Sequence, residues 1–120
     1  MTRIINLTQH MATADQSEEG VFEPQNKATV QQLLTFEDLP TKEDIKARAE
    51  ALAQIAEAEN ASKAMVGGAP YLMGALENAL KERGIKPLYA FSIRESIEEI
   101  LPTGEVIKKN VFRHLGFVEV

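Results

Sequence analysis

A chain of 120 residues, 44% hydrophobic and 26% charged, has enough material to bury one modest core, and it reads as a single domain. Its formal net charge of −5 argues against sequence-independent binding to duplex DNA, which depends on cations displacing counterions. A nucleotide or short oligonucleotide held in a local pocket stays open. With no cysteine there is no disulfide, no thiolate metal ligand and no thiol nucleophile.

Residues 3–8 predict a short β-branched strand that exits at Thr8-Gln9-His10. From Met11 to Gln25 the chain is polar, with one helical turn expected over 14–19 and stopped by Gly20. A polar segment of that length after a strand reads equally well as a binding loop or a solvated connection. The spacing of Val30, Leu33 and Leu34 predicts a helix over 27–35. Pro40 closes the following turn, and Thr41 with Asp44 signals the start of a helix running to about residue 59. Ile45, Ala49, Leu52, Ala53 and Ala56 form its apolar stripe.

Residues 64–66 are too short and apolar for an exposed strand and predict a central one. They run into Gly67-Gly68-Ala69-Pro70, with Pro70 suited to the first position of a helix that Gly84 ends. Residues 88–93 predict the third strand. The tail then reads as an antiparallel hairpin, with arms at 97–101 and 106–112 around Pro102-Thr103-Gly104-Glu105, and Gly116-Phe117-Val118 as a further strand. The acidic first arm (Glu95, Glu98, Glu99) faces a basic second arm (Lys108, Lys109), which suits cross-strand pairing. The expected fold is therefore an α/β, Rossmann-like domain, three-layered or open and two-layered. Its short parallel sheet is extended by the antiparallel C-terminal hairpin.

If the first three strands are parallel, their carboxyl ends share one rim, where ligands bind in open α/β sheets. Gly67 and Gly68 let a ligand approach the backbone below a helix N-terminus, which suits a phosphate, and Tyr71 could stack on a base or pack in the core. Neither the P-loop nor the full dinucleotide fingerprint is present. Thr8 could bind a phosphate oxygen, and His10 is the candidate acid or base because imidazole titrates near neutrality. Ser92 could donate to a phosphate oxygen or simply end its strand. Arg94 is the one cation expected on the rim, for bidentate recognition of phosphate or for a salt bridge to a neighbouring carboxylate. Arg113 and His114 read as surface-exposed strand residues, with approach to the rim as the alternative. His10 and His114 are the only histidines and no HxxxH or HExxH spacing occurs, so neither a metal site nor a cofactor is expected. No apolar run approaches the ~20 residues that span a bilayer, and no signal peptide is evident, so a cytoplasmic location and no membrane partner are expected.

The segments Ile5-Asn6-Leu7-Thr8-Gln9-His10, Val66-Gly67-Gly68-Ala69-Pro70 and 89–96 (Tyr89-Ala90-Phe91-Ser92-Ile93-Arg94-Glu95-Ser96) resemble a small bacterial and prophage-associated family of uncharacterised function. More distantly, the strand exits and closing hairpin resemble the minimal CARF domains, Rossmann-like sensors of cyclic oligoadenylate in CRISPR systems. Some of those are ring nucleases that cleave their ligand without metal, with the ribose 2′-hydroxyl as nucleophile. That resemblance implies a ligand pocket lined by Thr8, His10, Gly68, Ser92 and Arg94. The leading expectation is thus a pocket for a nucleotide or other phosphorylated small ligand, as sensor or metal-independent ring nuclease. Two alternatives stand beside it: a non-enzymatic interaction or regulatory protein, and an enzyme of unrelated chemistry on the same rim. A homodimer pairing hairpin edges would suit so small a domain, although no residue pattern requires it.

Overall fold

The computed structural model describes residues 2–120. In chain order it holds β1 (Ile4–Leu7), α1 (Ala14–Glu18), β2 (Val21–Phe22), α2 (Lys27–Leu34), α3 (Lys42–Ala58), β3 (Lys63–Val66), α4 (Pro70–Glu82), β4 (Lys86–Ile100) and β5 (Val106–Glu119). One five-stranded sheet forms in the order β2-β1-β3-β4-β5. The first four strands are parallel, and β5 returns antiparallel to β4.

Local chemistry explains most element ends. Thr13 and Gln16 cap α1 reciprocally, each side chain accepting the other's backbone N–H. Thr41 accepts from the Asp44 N–H at 3.0 Å and starts α3. Pro70 opens α4, where a missing N–H costs nothing. At Gly20 an added Cβ would collide with the Thr2 carbonyl oxygen, so only glycine lets the chain turn from α1 into β2.

The two faces of the sheet are covered unequally. Ile5, Leu7, Ala64 and Val66 join Val30 of α2, Leu52 of α3 and Leu72, Leu76 and Leu80 of α4 in the main core. Full burial of each leucine is worth about 2 kcal/mol. On the opposite face a smaller apolar cluster of Ile4, Val21, Met65 and Leu88 is sheltered by Ala12 and Phe117. A five-residue α1 is too short to make a layer, so the sheet curls into a half-barrel and β5 closes part of the gap. A mixed α/β fold with a mostly parallel sheet and an antiparallel C-terminal pair stands, its three longer helices packed on one face; of the two arrangements expected, the three-layer Rossmann-like one is not seen in this curled sheet. Among the described residues, no helix is long and apolar enough to cross a membrane.

Three further expectations change. The polar segment 11–25 contains β2, a two-residue edge strand paired with β1. The third strand and the first hairpin arm are one continuous strand, β4, and the second arm and the expected final strand are one continuous β5. Only Lys86, Pro87 and Leu88 of β4 pair with β3; Tyr89 and Phe117 still pack on the body, and beyond Ser92 the ribbon projects as an arm.

Candidate functional site

In the order β2-β1-β3-β4, the chain leaves β1 toward β2 and then returns to β3 on the other side. Connections therefore diverge above the carboxyl ends of β1 and β3, the position where open α/β sheets form a crevice. A cleft of about 520 Å³ lies there. The loop after β1 contributes Thr8, Gln9, His10 and Met11, and α1 with its cap contributes Gln16 and Thr13. Met65 and Val66 of β3 form the floor, Gly67 and Gly68 follow them, and Ala90 of β4 makes the far wall. None of these side chains carries a fixed charge, so the cleft offers amides, a hydroxyl, an imidazole and thioether surface.

The loop after β1 is pinned by Asn6, which is fully buried in the strand. A buried amide costs several kcal/mol unless its groups are bonded, and here both ends are (about 2–7 kcal/mol for an amide without partners). Asn6 Nδ2 donates to the His10 carbonyl at 2.7 Å and to the Glu23 carboxylate at 3.0 Å. Its Oδ1 accepts from the Thr8 N–H at 3.0 Å and the Thr8 hydroxyl at 2.6 Å. Glu23 also accepts from the Ala12 N–H at 2.8 Å and pairs with Lys27 at 3.1 Å. The Lys27 ammonium in turn donates to the Thr8 carbonyl at 2.7 Å. Burial pushes the Glu23 carboxyl upward, but the bonds from Ala12 and Asn6 and the Lys27 charge outweigh it and hold it below its ordinary range. His10 enters this network through its carbonyl alone, leaving the imidazole free at the cleft mouth.

Gly68 sits at φ +150°, a conformation that side chains rarely adopt, although a Cβ there would make only ordinary contact with Met73 and Leu34. The sharp turn from β3 into α4 therefore depends on glycine.

The structure brings Thr8, His10, Gly67 and Gly68 together, and it leaves three candidates elsewhere. Tyr71 faces α3, its ring edge-on to Phe36 at 5.1 Å, and lines a separate groove between α3 and α4. Ser92 pairs with His114 at the base of the arm. Arg94 lies further out, opposite Phe112 and 5.9 Å from its ring centre. The expected rim thus ends at Ala90, because β4 does not stop there. His114 is not an exposed strand residue either; its side chain is buried against Phe117 and lies 3.4 Å from Glu19. Asn6, Glu23, Lys27 and Gln16 escaped the sequence reading. One signal was available: an asparagine between Ile5 and Leu7 in a buried strand must satisfy its amide locally. Among the described residues, no three histidine or acidic side chains gather into a metal-binding group.

No curated protein matches the chain, and no solved structure does. A protein family does match, over residues 2–118. The chain belongs to that family, the uncharacterised protein MJ1673 family.

Proposed function

We propose that the cleft above β1 and β3 binds a nucleotide or another small phosphorylated ligand, as a CARF-like sensor of cyclic oligonucleotides or a metal-independent ring nuclease. One observation carries this reading: segments 8–11, 13–16, 65–68 and Ala90, distant in sequence, converge on one cleft at the carboxyl ends of adjacent parallel strands. Its lining, apolar surface with a few uncharged polar groups, suits a base and a sugar. The Gly67-Gly68 turn suits the phosphate, because glycine puts no side chain over the backbone N–H groups between β3 and α4. Arg94 stands about 13 Å further along β4 than Ala90, by strand rise, where a longer ligand would meet it.

In the cleaving version of this reading, the ribose 2′-oxygen attacks the adjacent phosphorus and the bond from phosphorus to O5′ breaks. The products carry a 2′,3′-cyclic phosphate and a 5′-hydroxyl. His10 takes the proton from the 2′-hydroxyl or supplies one to O5′. No water or metal is consumed.

Thermal melting with mononucleotides and cyclic oligoadenylates tests the reading. A true ligand at a hundredfold excess over its Kd stabilises by about 2.7 kcal/mol, a rise in Tm on the order of 10 °C. Gly68→Val abolishes the rise, and His10→Ala keeps binding while removing any cleavage. If no nucleotide moves the melting temperature, the reading fails. A second reading, a non-enzymatic interaction or regulatory protein, draws support from the projecting arm. It expects Gly68→Val to leave partner capture intact.

A further inference from the structure

The arm formed by β4 and β5 beyond the body is a two-stranded ribbon, a form only marginally stable in water without a further strand or a covered face. Its two faces differ in a way that identifies what covers one of them. Residues directly opposite in an antiparallel pair share a face, so the register assigns each side chain. On one face the charges are already matched within the arm: Glu95 pairs with Arg113 at 3.1 Å and Glu99 with Lys109 at 3.9 Å. The other face carries Arg94, Glu98 and Lys108, and among the described residues none of the three makes an ion pair. It also carries the most exposed apolar side chains of the arm, Ile100 at 75%, Phe112 at 74% and Val106 at 57%.

We propose that this face is covered by the same face of a second copy, the two arms crossing antiparallel about a two-fold axis at the Ser96–Asn110 pair. Charge complementarity selects the occupant and the register. The two-fold lays Arg94 over the partner's Glu98 and Phe112 over the partner's Lys108, and each contact occurs twice, as an isologous interface demands. At the axis, Ser96 meets the partner's Ser96 and Asn110 the partner's Asn110, both able to hydrogen-bond to themselves. The bodies lie at opposite ends of the crossed arms and do not compete for space. Each apolar tip, Ile100 with Val106, reaches toward the partner's α1 and Met11, which is itself 67% exposed at the cleft mouth. Faces pair here, not edges. The free edges fit a dimer poorly: β4 against β4 sets glutamates together, and β5 against β5 gathers lysines.

Sedimentation equilibrium of the full chain tests the proposal, with circular dichroism confirming the fold of each variant. The wild type gives twice the chain mass at high micromolar concentration. Arg94→Glu and Glu98→Arg each halve that mass by setting like charges together, and the double exchange R94E/E98R restores it. A monomeric wild type, dimeric single variants or a double exchange that stays monomeric each overturns the proposal. Because the chain has no cysteine, Ser96→Cys provides an independent reading with a short bis-maleimide. A covalent dimer forms from Ser96→Cys and not from Ile97→Cys on the opposite face. Equal yields from the two, or none from either, also overturn it.

Discussion

Asn6 does the work of a strut: one buried amide makes three hydrogen bonds to the loop after β1 and a fourth to Glu23. Asn6→Ala leaves the Thr8 N–H and the Glu23 carboxylate short of partners, and the cost is about 2 kcal/mol or more. Urea denaturation reads this as a lower midpoint, and ligand affinity at the cleft falls with it because Thr8 and His10 lose their tether. Glu23 adds a pH dependence. Its folded pKa is depressed, so its contribution is fully present above the unfolded value near 4.5 and is lost as pH falls through the folded value. The stability difference between wild type and Glu23→Gln is therefore constant from pH 7 to about 5 and shrinks below about 4.5. Urea midpoints across that range check it; a difference that fails to shrink as the pH falls below the unfolded value contradicts the assignment.

At the scale of elements, the unit from β3 through α4 into β4 was legible because its punctuation is chemical. A glycine pair ends the strand, Pro70 opens the helix, and Gly84 closes it at φ +71°. β2 was not legible, since two apolar residues between polar neighbours give no period to read. The length of β4 was hidden for another reason. Past Tyr89 the strand leaves the core and its side chains are mostly exposed, so the alternation of apolar and polar residues that marks a half-buried strand fades at Ser92–Ser96. Arg94 was consequently placed on a rim that the strand overshoots. For Tyr71, stacking on a ligand and packing both stood open, and helix phase in the second residue of α4 turns the ring toward Phe36. Where the arm leaves the body, His114 is buried with both ring nitrogens lacking a hydrogen bond. His114→Leu keeps the contact with Phe117 and removes that deficit, which should raise stability by about 1 kcal/mol, a Tm gain of a few degrees. A lower Tm instead shows that Glu19 and His114 act as a pair tying α1 to β5.

As a whole the molecule is elongated. Its radius of gyration is 17.0 Å and it measures 57 × 38 × 25 Å, against about 14 Å expected for a compact chain of this length. Composition did not announce this, because an arm of alternating charged and apolar residues averages to an ordinary domain. The single cleft at the carboxyl ends of the parallel strands was legible from the strand exits alone, while its boundary depended on a strand whose end carries no signal. Ala90 and Ile100 belong to that same strand, ten residues and about 33 Å apart, with the one irregularity of the ribbon falling near Leu115 on β5. Whatever grips the tip therefore acts on the same strand that walls the cleft, with the bulge near Leu115 as the bend between the two.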